Sequence, residues 1–510
     1  MEARYMIAKR AVSIPVSLPA PVGGWNARDA LPAMPPLDAV TLENWFPATT
    51  ECVLRDGYSK WSTGITGQVE TLMAYSGSTT DELFAIAVDS IYDCTAGGAV
   101  GAAVVTGLSN ARWQYTNIAT PGGVFLSAAN GVDAPLSYDG SAWTNPSITG
   151  VTATSLNSPV LYMNRQFFIE EGTLKVWFLP VQSIAGAAQA LDISSFMYKG
   201  GYIVAHGTWT IDAGNGVNDH YVIITNRGQV IVYQGTDPTD ATKWAMVGVW
   251  DIGAPVGRRS LYKYAGDILI ISEDGIVPLS GALQSSRVQP KVAITDKIQY
   301  AVSEAVTNYS TNFGWQIMYV PTINQLWLNV PIQQGTNQQQ FAMNTINGSW
   351  CNYIGWNANC FEMYKDRPYF GSNGYVAKAW DTEADDGNNI NAFALQAFNN
   401  FNSAGKLKRF TMSRPILRVN GSPAVYAGIN IDFSTANTTL PLSFAPTSVA
   451  IWDAGVWDAP LWSGALSILQ NWQGLNGVGY YGAPVVKVAS NSIDVTWVAT
   501  DIVIEGGGIL

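Results

Sequence analysis

The stretch 219-DHYVIITNRGQVIVYQGTDPTDATKWAMVGVWDIGAPVGRRSLYKYAGDILIISEDGIVPLSGAL-283 decides the fold. Tyr221–Thr225 and Gln229–Tyr233 are β-branched, apolar runs joined by Asn226-Arg227-Gly228, which is the signature of a hairpin with a glycine in its turn. Ile268–Ile271 and Ile276–Leu279 repeat the arrangement around Asp274-Gly275. Gly235-Thr236-Asp237-Pro238 reads as a turn, since proline fixes φ and aspartate caps its own backbone. Gly228 and Gly275 stand about 47 residues apart, the span of one unit in a radial β repeat.

Outward from this stretch the pattern persists. Asn130-Gly131, Asp139-Gly140, Glu171-Gly172, Asn347-Gly348 and Asn373-Gly374 each sit beside or between short apolar runs and mark hairpin tips. Residues 62–385 therefore read as a β-propeller, with roughly 320 residues allowing six or seven blades. One segment departs from the pattern. Ile294, Ile298, Ala301, Val302 and Ala305 fall at helical spacing, with Thr295 and Asp296 as cap candidates, so a helix is predicted over 296–308.

Residues 1–61 carry Pro15, Pro19, Pro21, Pro32, Pro35, Pro36 and Pro47, which exclude long helices and central strands and predict an extended arm. Two readings of its aromatic residues stand side by side: contact with a neighbouring molecule, or filling the core of their own subunit. Beyond 385 three long strand candidates (NINAFALQAF, FTMSRPILRV, YAGINIDF), a loop with Trp452, Trp457, Trp462 and Trp472, and two terminal strands predict a second β domain over 386–510. The fold class is all-β: a propeller plus an additional β-rich domain.

Composition narrows the function. Charged residues make up 13% of the chain and hydrophobic residues 47%, so much of the surface is expected to be covered by partners. The formal net charge of −11 excludes nucleic-acid binding by phosphate neutralisation. The basic group Lys406, Lys408, Arg409, Arg414 and Arg418 is expected to meet an acidic surface of a sister subunit. Cys52, Cys94, Cys351 and Cys360 read as free buried thiols of a protein assembled in a reducing cytoplasm, with Cys351 and Cys360 on adjacent strands. No run is long and apolar enough for a membrane helix, and prolines interrupt any secretory core at the N-terminus.

Catalytic constellations are sparse. His206 and His220 are the only histidines and read as packed residues. Asp381, Glu383, Asp385 and Asp386 before Gly387 lack the glutamate of a calcium loop, Ala392 standing in its place, and read as a solvated domain-boundary turn. Ser137–Trp143 (SYDGSAW) loosely resembles the Asp-box turn of sialidases, which keeps a propeller glycosidase or a carbohydrate-binding tail receptor as the alternative. No cofactor, metal site or catalytic residue is expected.

The order of motifs resembles a known family. The hairpin, YQGTDP, VGVWDIG, P-x-GRR, GDILII and DGIVPLSGAL, with GGWNARDALPAMPPLDAVTLENWFPATTECVLRDGY near the N-terminus and IVIEGGGIL at the C-terminus, resemble the tail nozzle proteins of short-tailed bacteriophages. These are also called tail accessory or packaged-DNA stabilisation proteins. The resemblance implies a structural virion protein without enzymatic activity, located in the virion tail, with a β-rich platform domain built from the N- and C-terminal segments facing the portal. It implies a ring, expected to be a homohexamer, an adaptor of the portal above it, and a tail needle or tail fibres or spikes alongside. Genomic DNA would pass through the channel without specific binding. Trp25, Arg28, Asp29, Trp45 and Phe46 are the expected contacts to adaptor or neighbouring subunit.

Overall fold

The computed structural model describes residues 13–210, 219–283, 292–436 and 467–506. The chain folds into two units. One comprises residues 1–58, 342–354 and 381–510; the other comprises 59–341 and 355–380.

The second unit is a β-propeller. Its antiparallel groups follow one another along the chain. The first uses the latter part of Tyr58–Ser76 with Asp81–Ala87 and Ser90–Asp93. Three four-stranded groups follow: Gln114–Thr120 to Trp143–Thr144, Leu156–Tyr162 to Gln189–Asp192, and Ile203–Thr210 to Trp244–Asp251. Leu261–Tyr264, Asp267–Ser272 and Gly275–Pro278 form a three-stranded group, and Gln316–Val320 pairs with Gln325–Gln333. Cys360–Tyr364, Arg367–Gly371 and Asn373–Ala379 come last and are completed by Tyr58–Ser76, so the first strand of the unit closes it against the last. The leading strands of all these groups face one central cavity, where Thr71, Tyr115, Ser158, His206, Tyr262, Gln316 and Glu362 meet. That convergence defines a propeller.

The hairpins of the deciding stretch form in the expected register, with Tyr221 opposite Tyr233 and Ile271 opposite Ile276. Gly228 has φ 73° and Gly275 φ 103°, values that favour glycine over residues with a Cβ. The predicted helix is a 3₁₀ turn, Asp296–Ile298, leading into Gln299–Tyr309, and it buries Ile298, Val302, Ala305 and Val306. Its expected cap is not used as such. Thr295 Oγ1 instead accepts the Ile276 N–H at 3.1 Å, filling the space beside Gly275.

The first unit joins both ends of the chain. Ser13–Pro19 pairs antiparallel with Val495–Gly506, which also pairs with Lys408–Val419 and Cys52–Leu54. A further run of strands is ordered Trp350–Tyr353, Asp38–Glu43, Ile390–Gln396, Gly482–Ser490, Ala424–Ile431. From Ser13 onward the predicted arm is therefore built into this unit: Asp38–Glu43 lies inside a sheet, and its proline-free sequence permits the central position. Residues 342–354, expected in the propeller, belong to this unit. Cys351 and Cys360 lie on strands of different sheets, not adjacent ones, and all four cysteines are buried and free. Among the described residues no helix is long and apolar enough to cross a membrane.

Candidate functional site: the axis of the propeller

The expected contact residues divide between surface and core. Trp45 is wholly buried and packs on Trp497, ring centroids 5.6 Å apart, and Phe46 is also buried. These two fill the core of their own subunit, because Trp45–Pro47 pairs with Cys52–Leu54 beneath the C-terminal strand. Trp25 is half-buried beside Ala39 in a short parallel pairing. Arg28 and Asp29 close a turn around Asn26. Asn26 Oδ1 accepts the N–H groups of both, its Nδ2 donates to Asp29 and Asp38, and Arg28 Nε contacts Asp29 Oδ1 at 2.8 Å. Arg28 keeps 41% of its side chain exposed. Of the five residues, Trp25, Arg28 and Asp29 retain access to a partner.

The basic group is satisfied within its own unit. Arg414 pairs with Asp501 at 2.8 Å, Arg418 with Glu51 and Arg409 with Glu505. Lys408 Nζ donates to the carbonyls of Ser403, Lys406 and Tyr480 at 2.8–2.9 Å. Register places each arginine opposite or near a carboxylate of its own chain, while Lys406 and Arg409, the latter 66% exposed, remain at the surface. The acidic turn is not simply solvated either. Asp385 takes both terminal nitrogens of the buried Arg55, at 2.8 and 2.7 Å. The Trp452–Trp462 part of the tryptophan loop lies outside the described residues.

Sequence reading missed the propeller axis. Two neighbouring side chains of the Pro-x-Gly-Arg-Arg segment cross it. Arg259 Nη2 donates to Thr71 Oγ1 at 2.7 Å, the Glu70 carbonyl at 3.0 Å and the Trp113 carbonyl at 3.3 Å. Arg258 donates to the Asn130 carbonyl at 3.1 Å and to Glu171 Oε1 at 2.7 Å. One strand-leading dipeptide thus ties together groups 87 to 189 residues away. Gly257, at φ 74°, carries the backbone into this position, and an added Cβ would press on Trp315 at 3.3 Å.

The arginine pair divides the axis into two spaces. Behind it lies an inner chamber of about 350 Å³, lined by Tyr115, His206, Tyr262, Gln316 and Glu362. In front lies a vestibule of about 530 Å³, formed by the loops that enter the leading strands. Glu362 lines the chamber, and burial pushes its carboxyl up to about 7; a hydrogen bond from Tyr115, the Met363 N–H and Arg259 act in the opposite sense. His206 is buried, with one ring nitrogen on the Ser158 carbonyl and the other on Tyr221 Oη. A carbonyl accepts only, so Nε2 carries the proton and Nδ1 accepts from Tyr221. Burial lowers this imidazole to about 4, leaving it neutral and structural at neutral pH.

The Asp-box-like segment is a turn. Asp139 Oδ1 accepts from the Ser141 N–H, Ser141 Oγ and the Ala142 N–H, each at 2.8 Å, while Trp143 packs on Phe84 and Tyr138. Asp139 orders the hairpin tip and takes no part in the axial cavities.

Compared with known protein families the chain matches none, and no curated protein matches it in sequence. Among solved structures it is similar to the β-propeller domain of Myceliophteria thermophila Cps50 (Swd1), at 12% identity over 64% of this chain and 100% of that one, TM-score 0.40. It is likewise similar to BBS1N in complex with ARL6DN, at 9% identity over 65% and 99%, TM-score 0.40. A computationally designed protein, Ika8, aligns at 11% over 63% and 100%, TM-score 0.36. These likenesses concern the propeller fold and carry nothing about function.

Proposed function

We propose that the chain is a structural virion protein, a subunit of the nozzle of a short bacteriophage tail that extends the portal–adaptor channel, retains packaged DNA and conducts it at ejection. The observation that supports this reading is the gathering of both chain ends, where two of the resembling segments lie, into one β unit. Ser13–Pro19 and Val495–Gly506 are paired along their length, and the 24–54 region joins the same unit. Such a unit provides a platform for an adaptor, with Trp25, Arg28 and Asp29 as its accessible polar and aromatic contacts. The protein acts as a ring, a homohexamer, with a needle or fibres beside it, and performs no catalysis.

With 38 acidic against 27 basic residues, an acidic conduit repels phosphate and eases the passage of DNA over about one Debye length, ~8 Å at physiological salt. Retention of the genome then rests on a physical constriction. The test is electron microscopy and sedimentation of the purified protein with and without a portal–adaptor complex. A ring seated on the adaptor is expected. A monomer that never binds that complex refutes the proposal, and tight duplex-DNA binding with a steep salt slope refutes the slippery conduit.

A further inference from the structure

The vestibule in front of Arg258 and Arg259 has the chemistry of a binding site for a neutral polyhydroxylated ligand. Three guanidinium groups reach the axis: Arg112, Arg258 and Arg259. Arg112 Nη2 lies 3.2 Å from Glu70, and Arg258 Nη2 lies 2.7 Å from Glu171, which with Glu273 lines a side cavity of about 390 Å³ that shares Gly257, Arg258 and Ser310 with the vestibule. The walls therefore carry no marked excess of positive charge with which to attract a phosphate or a carboxylate.

These pairs are not closed off. Arg112 is 42% exposed, and Arg258 and Glu171 are each 37% exposed, so both members of the second pair retain free edges. A half-open guanidinium–carboxylate pair offers a donor and an acceptor a few ångströms apart. A hydroxyl both donates and accepts, so a vicinal diol satisfies such a pair with two hydroxyl groups and no charge of its own. The donors are also held in place before any ligand arrives. The Phe313 ring carries Arg112 at 4.7 Å and Arg259 at 5.1 Å from its centroid, which fixes two guanidinium planes at the cavity wall. Ser310 and Thr311 line the same space. A volume of about 530 Å³ accommodates one or two sugar rings.

We propose that this vestibule, together with the side cavity that adjoins it at Arg258, binds a neutral saccharide, its diols bridging the Arg112–Glu70 pair on one side and the Arg258–Glu171 pair on the other. The inference goes beyond the nozzle reading and does not rest on it: the purified chain can fail to bind sugar and still join a portal–adaptor complex, or the reverse.

The experiment is saturation-transfer NMR on the full-length protein. The probes are methyl glucoside, methyl galactoside, methyl mannoside, methyl N-acetylglucosaminide and lactose. N-acetylneuraminic acid and inorganic phosphate serve as anionic competitors. Thr311→Trp and Val132→Trp place bulk at exposed positions of the vestibule and are expected to weaken binding at least about tenfold. Glu171→Gln removes a charged acceptor at constant size, weakens binding in the same way, and replaces a Trp variant that fails to fold. Binding of at least one neutral probe, lost in these variants and not displaced by phosphate, is the expected result. No transfer to any neutral probe overturns the inference. So does full binding by the folded variants, or capture of the anionic probes alone.

Discussion

Arg55 offers the sharpest test of how the platform unit is held together. Its side chain is fully buried, and each nitrogen is engaged. Nε donates to Asn44 Oδ1 at 2.8 Å, Nη1 to the Asp56 carbonyl at 3.0 Å and Asp385 Oδ1 at 2.8 Å, and Nη2 to the Ile354 carbonyl at 2.7 Å and Asp385 Oδ2 at 2.7 Å. Those partners come from the three separate segments that compose the unit. Replacing Arg55 by Met keeps most of the stem but takes the guanidinium from the Asp385 carboxylate, which is only 12% exposed, and from two carbonyls, while Asn44 Oδ1 keeps the Ile354 N–H. Removing one member of a buried ion pair costs about 3–5 kcal/mol, most of it from the charge left behind.

Because the chain has two units, a local probe is needed. Hydrogen exchange followed on peptides covering 52–57 and 495–506 reports this unit. At about 1.4 kcal/mol per decade, the slowest amides there should exchange roughly a hundredfold to a few thousandfold faster. Asp385→Leu alone should be similarly severe, and the double variant Arg55→Met/Asp385→Leu milder than the sum of the two. A change below about threefold for Arg55→Met, or strict additivity in the double variant, would show that the pair does not join the segments.

Arg259→Met should loosen the propeller by roughly 3 kcal/mol, read by urea unfolding and by faster exchange in 69–76 and 113–118, since it orphans carbonyls on two neighbouring groups; an unchanged midpoint contradicts the staple. Burial raises Asp56 to about 7, with Asp494 and Glu383 adding to it, and burial raises Glu362 to about 7. A carboxyl whose folded value lies above its unfolded one favours the native state at low pH, so stability should fall as pH climbs from about 4 to about 7. Asp56→Asn and Glu362→Gln should each flatten that slope in pH-dependent melts, and slopes equal to the parent's refute the assignment. Asp139→Ala should cost at most about 1 kcal/mol and leave saccharide binding intact, as expected of an exposed turn; loss of binding would return the alternative of a glycan site at that tip. Deleting residues 1–46 should unfold the platform unit and not merely release an arm, because it removes Asp38–Glu43 from inside a sheet, and native exchange in 482–490 after deletion would contradict this.

What could be read from the sequence was local. The hairpins at 226–228 and 274–275 declare themselves because glycine occupies left-handed positions between β-branched runs. The helix was visible because its buried residues recur at 3.6-residue spacing. The axis was not visible. Arg258 and Arg259 sit in an ordinary polar segment, and their meaning comes from closure, which brings Glu70, Trp113 and Glu171 to them. The same holds for Asp385, whose partner stands 330 residues away and which looked like part of a charged turn. Trp45 and Phe46 were ambiguous for a different reason: aromatic residues serve interfaces and cores alike. Only pairing with the C-terminal strand decides between them.

The way the strands close has a consequence in time. Tyr58–Ser76 waits for Asn373–Ala379 before the propeller is complete, and Ser13–Pro19 waits for Val495–Gly506. On a ribosome adding roughly 5–20 residues each second, the first of these strands stays without its partner for tens of seconds, and the second for longer still. Neither unit can reach its final state from a nascent fragment, so a prematurely terminated chain presents unpaired edges at both closures and is marked for aggregation or removal. The surface formed where Ser13–Pro19 meets Val495–Gly506 therefore does not exist until the later of the two strands has been made.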